Sequence, residues 1–269
     1  MILLYPQWQG IGEIDAYYAA EEIEKIYLRK KNLKYHKVDI SKKAVSKREQ
    51  HILGYADIIK QTVSTGMTVS LNSPDKIFTI GGGCDVDIVP VEWLNRKYDG
   101  DMTVFWFGAH GDMKSPKESE NGLFRNMPAR MLMEPEYELK KIVTKPILPK
   151  NFVQLGGRDL DAKEKKFILV NNIDYLSVEM IMNSINEVLE GKNTKYAYIH
   201  FGLDVLDPKE FSSVQTPVKK GMSISTAKKL LSMIKDKYQI VGFGLYEYKK
   251  SGREQDFIEY IFDYAKELF

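Results

Sequence analysis

His110 and Asp112 stand two positions apart in the run TVFWFGAHGDMK at residues 103–114. Side chains at i and i+2 of an extended chain share a side, so an imidazole and a carboxylate point the same way. That pairing suits metal ligation or proton transfer. A metal-binding segment would also want a carboxylate where Gly108 stands. Other reactive residue types follow other β-rich runs. FTIGGGCDVD brings Cys84 behind three glycines, and VQLGGRDLD brings Arg158, Asp159 and Asp161. YIHFGLDVLDP brings Asp204 and Asp207, and VGFGLYEYKK brings Glu247.

Each has a plainer reading. Three glycines after a strand serve a tight turn, and the Lys-Ser/Thr of a phosphate loop is missing. A lone cysteine packs as a small hydrophobe. Asp207-Pro208 suits a turn or a helix cap. His36 lies in an apolar strand and His51 begins a helix, while His200, on a buried-looking strand, could line the site but reads first as core packing. Tyr246 and Phe107 also read as packing groups. The cluster carries more information than any of its members.

The elements that must position these residues alternate. Strand candidates are MILLYP, YHKVDI, KIFTIGG, TVFWFGA, FVQLGG, YAYIHFGL and IVGFGLYEY. Several are apolar throughout, as in parallel strands buried on both faces. Helix periodicity falls over 13–30, 47–66, 86–97, 177–190, 223–236 and 254–268. In the last, Phe257, Ile261 and Ala265 recur at helical spacing with Ile258 and Phe262 beside them. This alternation predicts an α/β fold, a three-layer αβα sandwich around a mostly parallel central sheet. Residues 1–269 read as one domain. The longest stretch without periodicity, roughly 109–126, follows a strand, where functional loops concentrate. Ligands of open α/β sheets sit beyond the carboxyl ends of the strands, which is where the reactive residues gather.

Bulk composition narrows the function classes. The chain has 269 residues, 43% hydrophobic and 28% charged, with Lys+Arg 39 against Asp+Glu 37. That near balance, with mixed signs, argues against a nucleic-acid partner or a basic membrane face. The apolar start MILLYP stops at Pro6, and no segment has the length of a membrane span. The single cysteine excludes an intrachain disulfide and suits a reducing compartment. A cytoplasmic protein is expected.

In order along the chain, these segments resemble the ureohydrolase family of arginases and agmatinases. The resemblance runs from about Phe78 to Glu247, with YPQWQGIG near the start as a weaker match. It implies an arginase-like fold and, in the family, guanidinium hydrolysis at a binuclear manganese centre. GGGC at 81–84 is similar to the family's Gly-Gly-Asp-His, with Cys84 on the histidine. GAHGD at 108–112 is similar to Asp-Ala-His-x-Asp, with Gly108 on the first aspartate. GLDVLDP at 202–208 is similar to Asp-x-Asp-x-x-Asp-Pro, with Gly202 on the first aspartate. GGRDLDAKE, QTPV and GLYEY continue the match. The resemblance therefore implies metal-type ligands at Cys84, His110, Asp112 and Asp204. It puts catalytic positions at His110, Asp112, Arg125 and Glu247, and substrate contacts at Lys114, Asn121, Asp161, Thr216 and Glu247.

Both bridging carboxylates are glycines here. Two divalent ions a few ångströms apart repel strongly without bridging anions. Thiolate in place of imidazole also turns the site away from a hard ion. Arg125, on the position of a proton-shuttling histidine, cannot deprotonate. Lys114 falls on the position of an asparagine that contacts substrate. Three readings follow. The first is a C–N hydrolase of amidines, guanidines or amides, using one zinc or iron ion on Cys84, His110, Asp112 and Asp204. The second is a catalytically silent member without metal that binds a cationic guanidino or amino-acid-like molecule, possible also as a homo-oligomer. The third makes Cys84 a nucleophile with His110 as its base.

Overall fold

The apolar runs form an eight-stranded sheet that is parallel in every pairing. Its strands are β1 (Ile2–Tyr5), β2 (His36–Lys37), β5 (Ile77–Gly81), β6 (Met102–Phe107), β7 (Phe152–Leu155), β8 (Asp174–Leu176), β9 (Tyr196–Gly202) and β10 (Gln239–Tyr246). Across the sheet they run β2-β1-β5-β10-β9-β6-β7-β8. A separate hairpin pairs β3 (Arg48–Glu49) with β4 (Ile52–Leu53). This computed structural model describes every residue except Ser46 and Phe269.

Helices cover both faces. They are α1 (Asp15–Ile23), α2 (Tyr55–Asn72), α3 (Ile88–Lys97), α4 (Pro128–Met133), α5 (Leu139–Ile142), α6 (Ala162–Val170), α7 (Ile181–Gly191), α8 (Ile224–Lys237) and α9 (Asp256–Leu268). Strand alternation sorts the core into two halves. Phe105 and Phe107 of β6, with Ile199 and Phe201 of β9, pack under α1, α7, α8 and α9. Val104 and Trp106, with Tyr198, pack under α2 to α6. Each fully buried aromatic on these strands contributes about 1.5–3 kcal/mol. The result is the expected three-layer αβα sandwich. Among the described residues no helix is long and apolar enough to cross a membrane.

Several elements differ from expectation. The helix expected over 47–66 begins only at Tyr55, because Gln50 and His51 take φ of 49° and 66° and turn the chain into the β3–β4 hairpin. The strand expected over 35–40 shrinks to His36–Lys37 at the sheet edge. Strand β8 and helices α4, α5 and α6 were not expected. Five adjacent strands, β5, β10, β9, β6 and β7, end at one edge of the sheet. Their following loops carry Cys84, Glu247, Asp204, His110 with Asp112, and Asp161.

Candidate metal and ligand site

Beyond that edge the reactive side chains divide into two groups. In the first, His110 Nδ1 lies 2.7 Å from Asp204 Oδ2, and its Nε2 lies 3.5 Å from Asp159 Oδ2. Burial works against a charged imidazole, yet the Asp204 carboxylate overrides it and pushes His110 up to about 9. In turn the imidazolium holds Asp204 below the usual carboxylate range despite burial. The pair is an ion pair closed on itself, although Asp204 Oδ1 is buried with no partner.

The second group holds Cys84, Asp112 and His200, all buried, with one ligating atom of each within 4.8 Å of the others. His200 pairs with Trp106 across β9 and β6, and their rings stack at 3.5 Å with 2° between planes. Tyr246 covers its other side at 4.7 Å. His200 Nδ1 sits 2.6 Å from Asp87 Oδ2, and the hydroxyls of Tyr198 and Tyr246 both donate to Asp87 Oδ1. Trp106 Nε1 donates to Asp112 Oδ2 at 3.1 Å. Burial first, then the nearby Asp204 and Glu164 carboxylates, raise Asp112 to about 8 against the pull of His110.

Two site residues carry backbone strain. Asp112 and Glu247 sit at φ of 54° and 64°, the left-handed region that most side chains avoid. Such outliers concentrate at functional sites. Glu247 is fixed by its own N–H donating to the Gly82 carbonyl at 3.0 Å. Gly82 must be glycine here, since a Cβ would stand 2.1 Å from the Gln7 carbonyl oxygen.

Around the mouth, the chain's own cations reach the carboxylates expected to hold a substrate. Arg125 Nη1 approaches Glu247 Oε2 at 3.7 Å, and Thr216 Oγ1 donates to the same oxygen at 3.2 Å. Lys114 Nζ lies 3.0 Å from Asp161 Oδ2. Asp161 also caps α6, where its Oδ1 accepts from the Lys163 and Glu164 N–H groups and Glu164 returns a bond to the Asp161 N–H. That is the capping box spelled by DAKE. Asn121 spends its Oδ1 on the loop, accepting from Ser119, Leu123 and Asn126. Arg158 ties the neighbouring loops by donating to carbonyls of Gly156, Asp204, Val205, Val218 and Lys219. Asp207 accepts from the Lys209 and Gly221 N–H groups, a turn-holding role.

The order, geometry and fold can now be set beside known proteins. A profile described as the Arginase family matches residues 14–255. The chain belongs to the arginase family. An arginase of Staphylococcus aureus strain MRSA252 is 28% identical over 229 residues, covering 81% of this chain and 75% of that one. The structure of Entamoeba histolytica arginase in complex with L-ornithine superposes with a TM-score of 0.86 at 20% identity, covering 100% of this chain and 97% of that one. Formimidoylglutamase of Bacillus subtilis superposes at 0.72 with 17% identity, covering 92% and 78%.

The manganese pair of the arginase family does not fit these residues. Gly108 and Gly202 stand where the resemblance puts the bridging carboxylates, and among the described residues the cluster whose ligand atoms all lie within 4.8 Å is Cys84, Asp112 and His200. A side chain at Gly202 would place its Cβ 2.7 Å from Asp204 Oδ1 and 3.0 Å from the Phe107 carbonyl. The expected quartet of Cys84, His110, Asp112 and Asp204 therefore does not stand as one ligand set. His110 and Asp204 bond to each other, and His200 joins Cys84 and Asp112. The nucleophile reading for Cys84 meets the opposite of an activated thiol. Burial and the carboxylates of Asp112, Glu247 and Asp204 push it well above its ordinary value. Its recorded polar contact is Glu247 Oε1 at 3.9 Å, in place of the expected His110 base.

Sequence reasoning missed Asp87, set His200 behind core packing as a residue that could line the site, and read Tyr246 only as packing. A signal was present for one of them. Asp87 follows Cys84 by three residues in CDVD, so one short turn carries both the thiol and the carboxylate that holds the histidine.

Proposed function

We propose that this protein is a divergent arginase-family member that does not hydrolyse arginine at a manganese pair and instead holds a small cationic guanidino or amino-acid-like molecule in the family pocket. Residues 1–269 act as one domain in this reading. The observation that carries it is the pair of internal cations at the mouth. Lys114 sits on Asp161 at 3.0 Å and Arg125 stands 3.7 Å from Glu247. Each carboxylate thus already serves as a cation receptor. The Arg125 contact lies beyond hydrogen-bond distance, so a ligand guanidinium with direct bidentate bonds competes well for Glu247. Ligand entry is an exchange of ion pairs, with the freed Arg125 and Lys114 available to a ligand carboxylate.

Calorimetric titration with arginine and agmatine tests this. Removing the internal competitor by Arg125→Ala is expected to tighten agmatine, which has no carboxylate for Arg125 to hold, about tenfold, or about 1.4 kcal/mol. Urea release from arginine is expected to stay at the protein-free level when manganese is supplied. Manganese-dependent turnover, or no binding to either protein, would overturn the proposal. A hydrolase working through one metal ion is the second reading. The cluster of Cys84, Asp112 and His200 favours it, with a ligand set different from the one expected.

A further inference from the structure

We infer that Cys84, Asp112 and His200 form a mononuclear site for a borderline divalent ion, zinc above all, in place of the family's manganese pair. This rests on the reading that the pair cannot form, and it adds a ligand that the family pattern does not supply. The strongest observation is His200. Its ring is fully buried, clamped between Trp106 and Tyr246, and its Nε2 has no hydrogen-bond partner. Buried polar atoms are almost always satisfied, so an orphan of this kind asks for a ligand.

Asp87 fixes which nitrogen is open. It already receives two tyrosine hydroxyls on Oδ1 and faces His200 Nδ1 from Oδ2 at 2.6 Å. An ionised carboxylate accepts only, so the imidazole proton belongs on Nδ1 and the Nε2 lone pair faces the cluster. Carboxylate–histidine pairs of this form orient metal-ligating imidazoles. The Trp106 N–H on Asp112 Oδ2 positions the second ligand in the same way.

Space and charge agree with that assignment. The Cβ that Gly202 lacks would lie 3.7 Å from His200 Nε2 and 2.7 Å from Asp204 Oδ1, so two buried atoms without hydrogen-bond partners flank one crowded spot. Binding an ion displaces the protons of Cys84 and Asp112, and the resulting thiolate and carboxylate carry two negative charges, which one dication neutralises. Sulfur, nitrogen and oxygen donors together select zinc over manganese or magnesium. Three protein ligands leave a fourth position open, the pattern of catalytic zinc rather than structural zinc. Tetrahedral bonds of about 2.0–2.3 Å put donors about 3.3–3.8 Å apart, so ligand atoms within 4.8 Å of one another draw in by no more than about 1.5 Å on binding.

The test uses the full chain purified without added metal, assayed for metal content and then titrated with cobalt(II) after chelation. One equivalent of zinc is expected, and cobalt should give a thiolate-to-metal charge-transfer band. Cys84→Ser, nearly isosteric, should abolish the band. Asp87→Asn should weaken cobalt binding about 10- to 100-fold without removing a ligand. His110→Ala should keep both stoichiometry and band. Metal binding that survives Cys84→Ser and His200→Ala but fails in His110→Ala would overturn the assignment. So would a wild-type protein that takes up no zinc and shows no cobalt band. Manganese-dependent urea release would sink the proposed function and this inference together, whereas no zinc and no cobalt band without urea release would sink this inference alone.

Discussion

Two parts of one cluster beyond the strand ends, built from similar ligand-type residues, end in opposite states. Around His110 the imidazole is taken directly by Asp204 Oδ2 at 2.7 Å, although Asp204 Oδ1 stays without a partner. Around Cys84 the imidazole of His200 is anchored from behind by Asp87, which leaves its other nitrogen bare. A histidine beside a carboxylate is present in both places. Only where the carboxylate binds the far nitrogen does the near one remain free for a ligand. Residue type therefore does not make a metal site; the direction of the uncommitted lone pairs does.

Breaking the anchored half should have the largest effect. Asp87→Ala removes an acceptor that two tyrosine hydroxyls share and the partner of His200 Nδ1, all buried. Each buried group left unsatisfied costs about 1–3 kcal/mol, and neighbours do not add fully, so a loss of about 4 kcal/mol is expected. Urea unfolding measures it, and a loss below about 1 kcal/mol would remove Asp87 from its anchoring role. The self-closed half should yield less. His110→Ala leaves the Asp204 carboxylate buried without its cation, but His110 itself is part exposed, so about 2 kcal/mol is expected. The contrast sharpens when metal content is measured alongside: Asp87→Ala should lower both stability and zinc, His110→Ala only stability.

Much of the frame was legible in the sequence, for a physical reason. Strands buried on both faces must be apolar throughout, so runs such as TVFWF announce a covered parallel sheet, and β6 is buried at all six positions. Turns made by ordinary residues were not legible. Gln50 and His51 reverse the chain without glycine or proline, and the hairpin passed as helix. Helix α6 ends in exposed Leu169 and Val170, so its apolar residues do not trace one face. At the site, the strand-end residues were legible because chain order and spacing carry them. His200 was not, since its alternation places it beside Trp106 on a buried face, where an imidazole reads as filler. Its meaning depends on Asp87, a partner 113 positions away that only the fold brings near.

The smallest effect separates the two glycines that the resemblance aligns with the family's carboxylates. Neither residue lies in the left-handed region, so backbone strain does not demand glycine at Gly108 or Gly202. Space distinguishes them. A Cβ at Gly108 meets nothing closer than 3.6 Å, whereas one at Gly202 meets Asp204 Oδ1 at 2.7 Å and a backbone oxygen at 3.0 Å. Crowding of that kind forces neighbouring atoms to shift, and the Phe107 carbonyl in the central sheet has little freedom to do so. Gly202→Asp is therefore expected to cost about 1–2 kcal/mol more than Gly108→Asp in paired thermal unfolding. Equal losses would show that the void beside His200 is wider than a Cβ and that the two halves of the pocket are not separated by packing. A larger loss at Gly202 would mean that restoring the lost carboxylate requires repacking around His200 and Asp204. The triad and the carboxylate bridge would then be alternative solutions for one space.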